Sequence, residues 1–363
     1  MMTSNTWQNP FNSIKNIPNA KTLMQKWQNK AMRSSVAGTS IRVPIILRTQ
    51  RKETHRVDVF SRGVRDHLKA IVQEFPDFSE IHPFYLETAD ILFSIDDIKK
   101  TLGSLYSAQG TIMKIRGEHI GRIWRGQTAV YIKKERRAAI GRINSFIKKL
   151  DRRLVFLEKV RNELRRLPGL NPSFPSIVAA GYPNVGKSTF VKTVTAVPLQ
   201  IASYPFTTKE VAIGHREIGE ERIPIQVVDT PGVLDRSLDD LKPIELRALA
   251  AIRHLATILL FIIDPTETCG FILDKQLSLL EQIREILSET PIICLLNKAD
   301  LMSKTEQKTA KERVFLRASG VEILIGSAMD SEFSHEILLR CIQKKEVVDL
   351  LMKNIHDSTP RFF

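Results

Sequence analysis

The sequence predicts two fold classes in tandem: an all-α helical bundle, then an α/β domain with a doubly wound, mostly parallel sheet. Three observations predict this. Before residue 168 the apolar residues recur at threes and fours, the period of helices that bury one face. After residue 174, short runs rich in Val, Ile and Leu alternate with helical segments, the pattern of a sheet covered on both faces. Between them Pro168-Gly169-Leu170-Asn171-Pro172 is a cluster of chain breakers and reads as a linker. The expected division is a basic, partly irregular arm over 1–40, a bundle over 41–170, an α/β domain over 174–345 and a tail over 346–363.

The arm contains no acidic residue, since the first is Glu53, and its apolar spacing is too sparse to specify an element. Its composition resembles a transit peptide, but a basic arm against a partner fits equally well. Helices are expected around 64–75, 84–93 and 95–116. A long final helix follows, in which Ile140, Ile143, Ile147, Leu150, Leu154, Leu157, Val160, Leu164 and Leu167 form one stripe. Its other faces are crowded with Arg and Lys. Residues 1–172 hold 32 Lys and Arg against 15 Asp and Glu, a net of +17, which leaves −3 for the rest of a chain whose total is +14. A field of that sign and size attracts polyanions, and RNA is the expected partner.

In the α/β part, strands are expected over 176–181, 211–215, 223–229, 256–264, 291–297 and 322–326. The longest apolar run, 256–263, is strand-sized, so no membrane span is expected. The three cysteines, Cys269, Cys294 and Cys341, are far apart and lack metal-ligand spacing, so core packing is their expected role.

The chemistry begins at Gly181-Tyr182-Pro183-Asn184-Val185-Gly186-Lys187-Ser188, which has the spacing G-x-x-x-x-G-K-[ST] and is followed by Thr189. Gly181 and Gly186 permit a backbone that turns N–H groups inward around phosphates. Lys187 neutralises the β- and γ-phosphates, and the Ser188 hydroxyl ligates Mg²⁺. The motif follows one expected strand and opens an expected helix over 187–194, so a helix N-terminus faces the anion. Asp229-Thr230-Pro231-Gly232 ends a later strand, 41 residues past Ser188. Asp229 is placed for the Mg²⁺ shell and the Gly232 N–H for the γ-phosphate.

Asn297-Lys298-Ala299-Asp300 selects the base. The Asp300 carboxylate accepts from guanine N1–H and the exocyclic amine, a donor pair that adenine lacks. Asn297 is expected to brace the phosphate loop and Lys298 to lie along the base plane. Ser327 and Ala328 follow the last strand, with the Ala328 N–H placed for guanine O6. Between the first helix and Asp229 lies Tyr204-Pro205-Phe206-Thr207-Thr208, where one threonine is expected to reach Mg²⁺ and the γ-phosphate; spacing does not choose between Thr207 and Thr208.

Lys187, the switch threonine, Asp229 and Gly232 are thus the expected catalytic set for GTP binding and its hydrolysis to GDP. The residue after D-x-x-G is Val233, whose side chain holds no water, so intrinsic hydrolysis is expected to be slow. Asn184 is placed either to help hold a K⁺ ion beside the phosphates or simply to shape the loop. Arg236 and Arg247, in the second-switch region, read as solvated or structural arginines, with further charge supplied in cis as the alternative.

At this point the sequence resembles the nucleolar GTP-binding protein (Nog) family of the Obg-related GTPases. The resemblance rests on the Gly181–Ser188 string, Tyr-Pro-Phe-Thr-Thr-Lys at 204–209, Gly214-His215 and Asp264 with Cys269-Gly270. Upstream it rests on Phe75-Pro76-Asp77-Phe78, Ile81-His82-Pro83-Phe84-Tyr85 and Arg137-Ala138-Ala139-Ile140-Gly141-Arg142. It implies an Obg-type G domain, Thr208 as the Mg²⁺ ligand, and action in large ribosomal subunit assembly. The partners it implies are large-subunit pre-ribosomal RNA and ribosomal proteins. A compact, archaeal-like, monomeric and cytoplasmic form is expected, nucleolar in a eukaryotic source.

Overall fold

The computed structural model describes residues 9–35, 43–171, 174–195, 199–203, 210–218, 223–230 and 252–344, together with Leu234, Leu241 and Val347. These residues fall into two compact units, one formed by 10–80 and 93–165, the other by 81–92 and the chain from 166 onward with Asn9.

The first unit is helical: α1 (Ala20–Arg33), α2 (Ile45–Glu74), then, beyond a helix of the other unit, α4 (Ile95–Arg125), α5 (Ala129–Lys149) and α6 (Asp151–Leu164). Helices α2, α4 and α5 pack on one another and α1 packs on α2. Val57, Ile123, Ile132 and Ala139 form a fully buried cluster there. Burial of such aliphatic groups contributes roughly 1.5–3 kcal/mol per side chain.

Part of the arm is helical. Asn19 caps α1 by accepting from Thr22 N at 2.8 Å, and Phe11, Ile14, Ile17 and Leu23 are buried. The chain before α1 is held by α6, since the Ile17 N–H donates to Glu158 Oε2 and the Ala20 N–H to Asp151 Oδ1, both at 2.8 Å. One expectation is corrected here: the long final helix is two helices. The ladder breaks at Leu150 (φ −88°, ψ −3°), whose N–H turns to Ile147 O at 2.9 Å, and α6 restarts with Asp151 in its first turn. Every residue of the stripe from Ile140 to Leu167 is nevertheless buried.

The second unit contains α3 (Pro83–Phe93) up to Leu92 and a seven-stranded sheet. Residues 81–92 thus fall in one unit with the chain from 166 onward. The Tyr85 hydroxyl explains it: it donates to Pro168 O at 2.7 Å and accepts from Leu170 N at 3.0 Å, which fastens α3 to the breaker segment.

The strands are β1 (Ser176–Ala180), β2 (Gln200–Ser203), β3 (Glu210–Ile218), β4 (Ile223–Asp229), β5 (Ile258–Ile263), β6 (Ile292–Leu296) and β7 (Glu322–Ile325), in the order β2-β3-β4-β1-β5-β6-β7. Pairings from β4 through β7 are parallel, and β2–β3 and β3–β4 are antiparallel. The chain is therefore an α/β doubly wound, mostly parallel fold preceded by a helical unit. Strand β2 was not expected. It is a four-residue antiparallel edge, too short to carry a period. Every residue of β1 and β5 is buried, as strands covered on both faces require. Helices α7 (Lys187–Val194), α8 (Leu273–Ile286), α9 (Lys304–Arg317) and α10 (Ser331–Ile342) complete the described part.

The sheet order reverses direction about β1, which lies between β4 and β5, so a crevice opens beyond the carboxyl ends of these strands. No helix among the described residues is long and apolar enough to cross a membrane.

Candidate nucleotide-binding site

Among the described residues, the phosphate loop, Asp229, the Asn297–Asp300 motif and Ser327-Ala328 each sit at the carboxyl end of a strand. The loop from β1 to α7 needs three residues with positive φ: Gly181 at 130°, Asn184 at 62° and Gly186 at 111°. At Gly181 a Cβ would lie 2.3 Å from Ile262 O, and at Gly186 it would lie 2.2 Å from Asn297 Nδ2. Both glycines are therefore demanded twice, by dihedral and by space. Asn184, a residue type that tolerates this region, carries an exposed side chain. Val185 is buried, and Thr189 is exposed on the first turn of α7.

Lys187 is 5% exposed, and its ammonium donates to Gly181 O at 2.6 Å and Tyr182 O at 2.8 Å. The charge is thus held inside the loop. Ser188 Oγ donates to Asp229 Oδ2 at 2.5 Å, which brings together two residues expected around one cation. A hydroxyl and a carboxylate are hard oxygen donors, and they suit Mg²⁺, which takes few protein ligands beside phosphate and water. Thr230, next to Asp229, is anchored by its hydroxyl to Ala179 O at 2.8 Å.

The base-side residues meet the phosphate loop through Asn297. Its Nδ2 donates to Val185 O and its Oδ1 accepts from Ala328 N, both at 2.7 Å and buried. Lys298 takes the left-handed conformation (φ 59°), which turns the chain into a short 3₁₀ segment, Ala299–Leu301, containing the exposed Asp300. Ala299 N donates to Gly326 O at 3.1 Å, so this segment lies beside Ser327 and Ala328. Thr207, Thr208, Gly232, Val233, Arg236 and Arg247 lie outside the described residues.

The family described as NOG1 N-terminal helical domain matches residues 11–171, and the one described as nucleolar GTP-binding protein 1 (NOG1) matches 243–300. An uncharacterized protein of Methanocaldococcus jannaschii is 35% identical over 300 residues, 83% of each chain. The chain belongs to the nucleolar GTP-binding protein 1 family. The Caenorhabditis elegans nucleolar GTP-binding protein 1 is 32% identical over 89% of this chain and 47% of its own length, and the Drosophila melanogaster protein is 33% identical over 69% and 38%. The chain thus spans less than half of either eukaryotic relative. A solved structure of this name from Plasmodium falciparum aligns at 26% identity with a TM-score of 0.42, over 52% of this chain and 97% of that one.

In this NOG1-family chain, motif reading missed a second layer of the site. Asp264, at the end of β5, is fully buried. Its carboxylate accepts from Lys298 Nζ at 2.6 Å, Thr268 Oγ1 at 3.0 Å and Cys269 N at 2.8 Å on one oxygen, and from Thr266 N and Oγ1 on the other. Burial opposes its ionisation, but the Lys298 ammonium and the Thr266 and Thr268 hydroxyls outweigh it and hold the carboxyl below its ordinary range. Gln276 of α8 fixes the same loop by exchanging bonds with the Asp264 backbone at 2.8 and 2.9 Å. Phe271, farther along it, stacks on Tyr182 of the phosphate loop with centroids 4.2 Å apart. The only sequence signal for Asp264 was its place in the family resemblance.

Proposed function

We propose that this chain binds GTP with Mg²⁺ and hydrolyses it slowly, using the two nucleotide states to time a step in large ribosomal subunit assembly. The observation that carries the nucleotide reading is the pair of hydrogen bonds by which Asn297 donates to Val185 O and accepts from Ala328 N, which sets the Asp300 turn beside the phosphate loop. In the bound state Asp300 accepts from the guanine N1–H and amine, and Lys298, held by Asp264, covers the base plane. Lys187 and the loop amides take the phosphates. Ser188 and Asp229, with Thr208, would hold the Mg²⁺, which would supply positive charge against the phosphate oxygens. Lys187 orients the γ-phosphate, and the Gly232 N–H completes its cradle. Asn184, exposed at the loop's left-handed position, is our candidate for a K⁺ ligand. The family resemblance supports a ribosomal setting; the eukaryotic relatives are named nucleolar, and a cytoplasmic location is our proposal for this chain. The +17 charge of residues 1–172 supports docking on RNA, for which the family resemblance suggests large-subunit pre-ribosomal RNA, with its ribosomal proteins as further partners of a monomeric chain.

A second reading is a GTP-dependent RNA-binding scaffold with incidental hydrolysis, favoured by the apolar Val233 after D-x-x-G. Single-turnover hydrolysis in KCl or NaCl, with and without large-subunit precursor particles, separates the two. Acceleration by particles is expected for the timing role, and its absence leaves the scaffold. Asp300→Asn should move preference from GTP to xanthosine triphosphate, because the altered base edge restores the donor–acceptor match. Unchanged GTP affinity in that variant overturns the base-reading assignment.

A further inference from the structure

We propose that the end of the helical unit where α4 turns into α5 is a docking surface for unpaired RNA bases; this rests on the RNA-binding reading above and names the kind of RNA. Trp124 is 46% exposed and Tyr131 is 41% exposed, and Val130 between them is 80% exposed. The unit fully buries its Phe11 and Phe60, and Tyr106, at 68% exposed, is a further exposed ring on α4.

The rings are interleaved with cations. No acidic residue occurs between Glu118 and Glu135, a stretch that carries Arg122, Arg125, Lys133 and Lys134. Arg125, Lys133 and Lys134 are exposed and make no ion pair among the described residues; Lys134 follows Tyr131 by three positions, on the same helical face. The nearby acids are already engaged: Glu135 with His119 at 2.9 Å, and Glu53 with Arg56 at 3.0 Å and Arg136 at 2.6 Å.

The turn that presents the rings is fixed. Gln50 Nε2 of α2 donates to Trp124 O at 3.0 Å and Gly126 O at 3.1 Å, and Thr128 caps α5 by accepting from Tyr131 N at 3.3 Å. Gly126 has no room for a side chain, since a Cβ would lie 2.8 Å from both Tyr131 and Ile132. Ile123 and Ile132, fully buried, pin the two helix ends beneath. Rings held in place before binding lose little freedom on binding.

Charge complementarity selects a phosphate backbone, and the two exposed rings select what it carries. An A-form duplex hides its base faces in the stack, whereas loops, bulges and single strands offer them to aromatic side chains. Two rings and a valine are too small an apolar area to insert stably into a bilayer.

Fluorescence polarisation of the full chain with a labelled 12-nucleotide single-stranded RNA, and with the same strand annealed to its complement, tests the surface across a salt series. The single strand is expected to bind more tightly. Trp124→Ala with Tyr131→Ala should weaken it by about tenfold or more, with little change in the slope against salt, while the duplex is unaffected. Lys133→Glu with Lys134→Glu should flatten the slope for both. All four positions are exposed, and unchanged thermal unfolding of the variants confirms that the fold is intact. Undiminished single-strand binding by the double aromatic variant overturns the proposal while leaving RNA binding elsewhere. Failure of wild type to bind either RNA overturns the RNA-binding reading itself. Binding to phosphatidylserine vesicles that requires Trp124, without RNA binding, reassigns the surface to a membrane and overturns the proposal too.

Discussion

Ser188 and Asp229, 41 residues apart, are joined by a 2.5 Å hydrogen bond between the first turn of α7 and the end of β4. The hydroxyl proton is directed at the carboxylate, which leaves the Ser188 oxygen lone pairs to face a cation.

Ser188→Ala removes that oxygen and nothing else. GTP affinity measured by calorimetry should fall at least about tenfold, about 1.4 kcal/mol, in Mg²⁺ and stay at the wild-type value in EDTA. An equal loss in EDTA would show that Ser188 serves the loop rather than the metal.

Asn297 and Gly186 form the next constraint. Asn297→Ala leaves Val185 O and Ala328 N buried without these partners, and each unsatisfied group costs about 1–3 kcal/mol. The thermal midpoint should drop accordingly. Gly186→Ala should instead abolish GTP binding, since its Cβ would meet Asn297 Nδ2 at 2.2 Å in a backbone region that L-residues avoid. A variant that still binds GTP tightly would mean that the loop relaxes around the added methyl.

The positions of 181–189, 229, 297–300 and 327–328 were legible because these motifs encode backbone demands. A glycine with φ near 111° and a lysine opening a helix leave a mark at fixed spacing. What was hidden had no local mark. The Leu150 break keeps the three- and four-residue spacing of an unbroken helix, so Ile147, Leu150 and Leu154 read as one stripe. The role of Asp264 depends on Lys298, 34 residues on, and the hold of Tyr85 on Pro168 spans 83. The α1 cap at Asn19 was a local signal, but the few apolar residues behind it did not declare a helix.

Asp264→Asn tests the second layer of the site. The amide keeps the shape but removes the charge that holds Lys298, so GTP affinity should fall several-fold in calorimetry. Asp264→Ala leaves the Lys298 ammonium and Cys269 N without their acceptor; breaking such a pair by removing one partner costs about 3–5 kcal/mol when fully buried, and less here because Lys298 is partly exposed. Wild-type affinity in Asp264→Asn would show that Lys298 needs no such support.

His82 makes the stability of its unit depend on pH. Burial chiefly, and His254 beside it, push its pKa down from 6.5 to about 4. His254 in turn lies 2.8 Å from Glu87, which Arg253 also approaches at 3.4 Å, and His82 Nδ1 accepts from Phe84 N at 3.4 Å. His82 is therefore neutral when folded and protonates near 6.5 when unfolded. Between pH 6.5 and about 4 the unfolded chain binds the extra proton, so stability rises with pH across this window. The contribution is complete above 6.5 and falls away as the pH drops towards 4. His82→Asn retains an acceptor for Phe84 N but cannot take up a proton. Its thermal midpoint, measured from pH 7 to 4, should fall less steeply than that of the wild type. Parallel curves would assign the acid sensitivity to another group.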